Sequence, residues 1–290
     1  MIVKKVVFPV AGLGSRFLPA TKAIPKEMLP IIDKPLIQYA VEEAIDAGFN
    51  ELIFITGDTK RAITDHFNFK PDLNISNLTK DKKNFLLDMH RIIPDHVSCK
   101  YIIQDEPLGL GHAILQAKET IDGSPFAVVL ADDLIDSKQG VLKQMINQYN
   151  SEDSSIISVQ KINKAESVNY GIIDFNNDRA GLIEIEDIIE KPLPINAPSN
   201  FGVVGRYIFC NSIFSCLEKT SAGVGNEIQL TDAIKLLLNT KPVFGYEFDG
   251  IRFDCGSKLG MIKANIRFAF KNEIYKEELK DFLKKCIKNE

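Results

Sequence analysis

A short apolar run, Val6 to Val10, empties into the loop Ala11-Gly-Leu-Gly-Ser-Arg16, and no other stretch limits the chain as tightly. The run reads as a buried strand, and Gly12 and Gly14 allow the backbone to turn and come close to a ligand. Consecutive free N–H groups in such a loop form an anion-binding concavity. Arg16, Lys22 and Lys26 follow within one short span, so backbone donors and three cations face phosphate. The expected target is a polyphosphate. Two common phosphate motifs fail on spacing. A dinucleotide fingerprint needs a third glycine where Phe17 stands and a helix directly after the turn, whereas Pro19, Pro25 and Pro30 hold the backbone out of a helix until about Pro35. The P-loop form, with Gly-Lys-Ser/Thr, is absent as well.

Composition narrows the class. With 290 residues, 45% of them hydrophobic, the chain can bury a substantial core as one large domain or a domain with a subdomain. The net charge of −4 and the lack of a basic block argue against nucleic acid or an anionic membrane as partner. The first strand begins almost at once, and no apolar run approaches the ~20 residues of a membrane span, so a soluble cytoplasmic protein is expected. Cys99, Cys210, Cys216, Cys255 and Cys286 are scattered without a Cys-x-x-Cys pair and read as reduced thiols, not as a disulfide frame or zinc site.

The rest of the chain reads as alternating strand and helix. Pro35 to Ala47 has helical spacing and stops at Gly48; Leu52 to Thr56 is a second buried strand, followed by a helix ending near Phe67. This order implies α/β architecture with a parallel sheet between helices. Residues 68–98 break the rhythm as a helical insertion, with a helix expected over Lys80 to Pro94. Lys100 to Gln104 returns to strand, Ala113 to Glu119 is a helix, and Phe126 to Leu130 is a strand ending at Asp132-Asp133. A hairpin is expected around Asn176 to Arg179. Ser212 to Leu217 and Leu230 to Leu238 are helical, Val243 to Phe248 is a strand, and Asp254 stands at another strand end. Two amphipathic helices fill 258–290. Ligands of open parallel sheets gather at the carboxyl ends of strands, so the Gly12 loop, Gln104 and Asp132 should face one crevice.

The pattern Gly12-x-Gly14-x-Arg16-x-x-Pro19-x-Thr21, followed by Pro25-Lys-Glu-Met-Leu-Pro30 and Asp33-Lys-Pro35, resembles the sugar-1-phosphate nucleotidyltransferases, and within them the bacterial uridylyltransferase branch. Ser15 stands where that family usually has Thr, and 68–98 matches only in outline. The resemblance implies a Rossmann-like three-layer nucleotidyltransferase fold with a mixed, mainly parallel central sheet flanked by helices. It implies a catalytic domain over 1–257, with a sugar-binding part at about 160–210. The amphipathic helices over 258–290 would leave an apolar stripe, to be covered either by another subunit of a homodimer or homotetramer or by the core.

The implied reaction joins UTP and glucose 1-phosphate to give UDP-glucose and pyrophosphate, assisted by Mg²⁺. The attacking phosphate oxygen is already an anion, so the site needs cations and a metal in place of an activated nucleophile. By family position, Arg16, Lys26 and Lys191 are the catalytic cations. Ala11, Gly12, Gly14, Lys26, Gln104 and Gly109 would bind the nucleotide, and Gly171, Glu190, Lys191 and Val204 the sugar phosphate. Asp132 and Asp254 would hold the metal, with Asp133 left as a supporting or capping residue. Gln104 can match the N3–H and O4 edge of uracil and reject cytosine. Read singly, each has a plainer role: Asp after a strand as a cap, Glu190-Lys191 as a solvated pair, Gln104 bonded to its own loop. Two rivals remain, a thymidylyltransferase and a non-catalytic sugar-nucleotide binding subunit.

Overall fold

The computed structural model describes residues 3–57, 60–68, 79–82, 85, 92–149, 151, 153–179 and 182–288. Its strands are β1 (Lys5–Pro9), β2 (Pro30–Ile31), β3 (Lys34–Pro35), β4 (Glu51–Thr56), β5 (Ser98–Ile103), β6 (Phe126–Val129), β7 (Asp133–Asp136), β8 (Ser155–Lys161), β9 (Gly171–Arg179), β10 (Leu182–Glu190), β11 (Phe201–Phe209), β12 (Val243–Glu247) and β13 (Ile251–Asp254). The helices are α1 (Leu36–Asp46), α2 (Arg61–Asn68), α3 (Leu110–Leu115), α4 (Lys118–Ile121), α5 (Val141–Gln148), α6 (Ile213–Lys219), α7 (Leu230–Leu238), α8 (Lys258–Ala269) and α9 (Lys276–Lys288). The helix expected over Lys80 to Pro94 lies largely outside the described residues.

Nine strands form one sheet in the order β5-β4-β1-β6-β11-β8-β12-β10-β9. From β5 to β6 every neighbour is parallel, as helical crossovers require. Beyond β6 the sheet turns mixed: β11 runs antiparallel to both β6 and β8, β12 is parallel to β8, and β10 is antiparallel to β12 and β9. The parallel sheet read from the sequence therefore describes one half. The other half is built from the long antiparallel β9–β10 ribbon. Its first strand, β9, runs through the Asn176 to Arg179 segment where a turn was expected, and Arg179 pairs with Leu182 on β10.

Side chains of the central strands alternate between two cores. Val7, Ile53 and Val128 face α3, α6 and α7, whereas Val6, Phe8 and Phe54 face α1, α2 and α5. That alternation makes three layers. A smaller cluster of Ile31, Leu36, Leu134, Cys255, Met261 and Ala264 packs α8 against the two small sheets, β2–β3 and β7–β13. No described helix is long and apolar enough to cross a membrane.

Candidate active site

The Pro-rich stretch after β1 folds as three single 3₁₀ turns, Ser15–Phe17, Ala20–Lys22 and Lys26–Met28, before α1 begins behind Pro35. Gly14 opens the first turn at φ 65°, a left-handed conformation that glycine adopts without strain. A Cβ there would also press on Lys26 Cβ at 3.2 Å, and Thr21 Oγ1 donates to the Gly14 carbonyl at 2.7 Å. The loop is thus clamped onto the segment that carries Lys26. Gly12 faces open space.

Behind Lys26 sits a buried ion pair. Glu27, 2% exposed, accepts from Lys60 Nζ at 2.9 Å, and Lys60 also donates to the Val10 carbonyl at the end of β1. Burial pushes the Glu27 carboxyl up and the Lys60 ammonium down, each opposed by the other's charge. Lys26 itself points the other way, its Nζ 2.6 Å from Asp132 Oδ2. Burial works against the Lys26 charge, but Asp132 and Glu27 outweigh it and raise its pKa. Burial likewise opposes the Asp132 charge, and Lys26 overcomes it, leaving that carboxyl below its ordinary range.

Asp132 and Asp254 meet through the small β7–β13 sheet. Asp133 pairs with Asp254 across it, and Cys255 N donates to the Asp132 carbonyl at 2.8 Å. A Cβ placed on Gly256 would lie 3.0 Å from Asp254 Oδ1, 3.1 Å from Asp132 Oδ2 and 3.6 Å from Arg16 Nη1. Two carboxylates and a guanidinium converge on one point. Asp133 is fully engaged elsewhere: Oδ2 accepts from Gly205 N at 2.7 Å and Oδ1 from Arg252 Nε at 2.5 Å. Both oxygens therefore serve to anchor neighbouring strands.

These groups open onto a cleft of about 1170 Å³, which Arg16, Asp132, Asp254, Gly171, Glu190 and Lys191 all line. Lys191 has φ 45°, uncommon for a residue with a side chain, and its N–H is tied to the Tyr170 carbonyl at 2.9 Å. Its Nζ meets Glu190 Oε1 at 2.8 Å while its side chain stays 55% exposed. The other Glu190 oxygen accepts from Thr231 Oγ1 at 2.6 Å. A Cβ on Gly171 would crowd that pair, lying 3.2 Å from Thr231 Oγ1.

Gln104 directly follows β5, buried, its Nε2 2.8 Å from His112 Nδ1 and 3.5 Å from the Gly109 carbonyl. Gly109 begins α3 at φ 96°, and a Cβ there would meet Glu227 Cβ at 2.7 Å. Ile228 N donates to the Leu108 carbonyl and Gly111 N to the Ile228 carbonyl, stitching the two loops together.

Ala11, Gly12, Gly14, Lys26, Gln104 and Gly109 are outside the lining of this cleft, and Val204 does not join it either. Its side chain is 1% exposed in the core on the α1 side of the sheet, while Val203 and Gly205 line the cleft, because successive residues of a strand face opposite ways. Arg252, which no motif singles out, also lines the cleft, binds Asp133 and donates to Tyr170 Oη at 2.7 Å. Its place two residues before Asp254 on one strand was the available signal.

Comparison with known proteins gives this geometry a family. A family model described as nucleotidyl transferase matches residues 5–269. The chain belongs to that family. It is a nucleotidyltransferase whose curated relatives include the UTP–glucose-1-phosphate uridylyltransferase of Bacillus subtilis, 44% identical over 288 residues and covering 99% of this chain and 98% of the relative. Among solved structures, a UDP-glucose pyrophosphorylase complexed with UDP-glucose superposes with TM-score 0.85 at 44% identity, covering 93% of this chain and 100% of the other. A UTP-bound UGPase from Acinetobacter baumannii gives 0.88 at 40% identity, over 97% and 98%. The nucleotidyltransferase fold, with its mixed sheet between helices, is thereby shared with these enzymes.

Proposed function

We propose that this nucleotidyltransferase transfers the uridylyl group of UTP to glucose 1-phosphate, giving UDP-glucose and pyrophosphate by direct in-line displacement. The observation that carries the reading is the convergence of Arg16, Asp132 and Asp254 around Gly256, with Lys26 held on Asp132. The sugar phosphate attacks as an anion, so the cleft must bring two repelling anions together and neutralise charge on the transferred phosphorus. Lys26, kept charged by its acidic neighbours, would contact the nucleotide phosphates, and Arg16 the departing pyrophosphate. Lys191 would hold the phosphate of the sugar. Its strained backbone supports that role, since such conformations cluster at functional sites. Glu190, fixed by Thr231, would accept from sugar hydroxyls.

The donor set suits Mg²⁺. Among the described residues no group of three or more His, Cys, Asp or Glu side chains converges as a closed metal cage. Two aspartates are enough for an ion that completes its shell with phosphate oxygens and water. Asp132 and Asp254 would hold it, and when bound it supplies Lewis-acid neutralisation of phosphate oxygens.

The cleft also bears on domain limits. Ser257 caps α8 by accepting from Gly260 N, and Leu259 and Lys263 line the cleft, so α8 goes with the catalytic body. Helix α9, which buries none of its residues and exposes Phe282 and Ile287, is the part offered for a subunit contact in a homodimer or homotetramer. A cytoplasmic enzyme fits these substrates.

Pyrophosphate release with Mg²⁺ and glucose 1-phosphate, run with UTP and dTTP in parallel, tests the reading. A strong UTP preference is expected. Equal or faster dTTP turnover would move the chain to the thymidylyl branch, and tight UDP-glucose binding without any pyrophosphate release would make it a binding subunit.

A further inference from the structure

Both ring nitrogens of His112 face amide nitrogens. Gln104 Nε2 lies 2.8 Å from Nδ1, and Gln116 Nε2 lies 3.0 Å from Nε2. A neutral imidazole has one N–H and one lone pair, so one of the two amides must turn its oxygen to the ring. Gly109 decides which. Its carbonyl oxygen is 3.5 Å from the Gln104 nitrogen, and an amide oxygen in that place would set two acceptors against each other. Gln104 therefore keeps its nitrogen toward His112. Nδ1 accepts, Nε2 carries the proton, and Gln116 presents Oε1 to receive it. His112 and Gln116 are four residues apart, the spacing that places them on one helical face.

We propose that His112, locked in this tautomer by Gln116, fixes the Gln104 amide so that only its oxygen remains to read the base. This rests on the assignment of Gln104 to the nucleobase. Both N–H groups of the amide are committed, one to His112 and one to the Gly109 carbonyl, and Oε1 takes no hydrogen bond from any described residue. A bare acceptor selects a base with an N–H at that edge. Uracil and thymine offer N3–H, whereas cytosine has a lone pair there and would face acceptor against acceptor. Uracil O4 must then find its donor elsewhere than on Gln104. His112 bonds Gln104 and Gln116, which makes it a positioning residue and not a catalytic one.

The test is kcat and KM for UTP and for CTP, read from pyrophosphate release by the full chain with Mg²⁺ and glucose 1-phosphate. In His112→Leu the amide keeps only its 3.5 Å contact to the Gly109 carbonyl and can rotate more readily. The UTP-over-CTP preference should fall roughly tenfold through KM, with kcat held within about twofold. His112→Asn, whose Oδ1 can accept where Nδ1 did, should restore most of the preference. Gln116→Leu should lose part of it, and Gln116→Glu, still an acceptor, should keep it. An unchanged preference in His112→Leu, beside a collapsed one in Gln104→Leu, would overturn the proposal and leave the base assignment standing. An unchanged preference in Gln104→Leu would remove both. Should His112→Leu fail to fold, equal preferences in Gln116→Leu and Gln116→Glu would overturn the tautomer lock.

Discussion

The two walls of the cleft hold their cations by different means. On the wall built from the parallel half of the sheet, the lining Asp132 holds Lys26, whose neighbour Glu27 is in a buried pair with Lys60 that also reaches back to the end of β1. Burial and paired charge fix that cation. On the wall built from the antiparallel ribbon, Lys191 is largely exposed and is positioned by its backbone, in a left-handed conformation tied to Tyr170. Parallel strands end in loops enclosed by helices, where an ion pair must be satisfied internally. A ribbon end is open to water, and a charge there gains little from pairing, so geometry must come from the main chain. The first wall should therefore fail by losing charge or stability, and the second by losing position.

The largest effect is expected where charge is enclosed. Asp132→Asn should lower turnover about a thousandfold in a steady-state pyrophosphate assay, with the fold intact by circular dichroism. Lys60→Met strands the Glu27 carboxylate, and a thermal melt should show a loss of about 3 kcal/mol. A loss below about 1 kcal/mol would mean that the pair is not what holds the first wall. Lys191→Ala should cost roughly a hundredfold in kcat/KM for glucose 1-phosphate while the KM for UTP stays near wild type. Equal damage to both substrates would erase the distinction between the walls.

The smallest effect concerns Asp136, away from either wall. It binds Arg267 Nε at 2.7 Å and Lys271 beyond the end of α8, which ties that helix to β7. Burial opposes its charge, but the bonds from Lys271 and Arg267 outweigh this and depress its pKa. A carboxyl depressed in the folded state stabilises above its unfolded pKa, and the gain is lost as pH falls through the folded value. Asp136→Asn should thus cost about 1 kcal/mol at neutral pH, discounted because both cations are half exposed. The difference from wild type should vanish in acid, below the ordinary aspartate range. Urea melts at several pH values would show a gap that persists in acid if the carboxylate charge is not its source.

Local chemistry made much of this legible. The apolar run into Gly12 and Gly14, the prolines that delay α1, and the aspartates at strand ends follow from residue types and short spacings, and each is found where it was expected. What local chemistry could not supply was set by distant pairings. Asp132 and Asp254 were joined by the family resemblance alone, since nothing near Asp132 announces that β7 will lie beside β13. Val204 was misplaced because β11 is buried on both faces, Arg206 included, and such a strand shows no polar–apolar alternation from which to read its sides. The Asn176 to Arg179 turn was overridden by strand pairing with β10. Arg252 looked like any strand arginine until the fold set Asp133 and Tyr170 beside it.

The central claim is that the carboxylates meeting at Gly256 form the reacting site, and Asp254 tests it most directly because it lies farthest in sequence from the phosphate loop. Pyrophosphate release from UTP and glucose 1-phosphate should be measured for the wild type and Asp254→Asn side by side, at saturating Mg²⁺. The account predicts brisk release by the wild type and a drop of about a thousandfold in the variant, with an unchanged melting temperature. Turnover within a few fold of the wild type would contradict it and take the metal assignment with it.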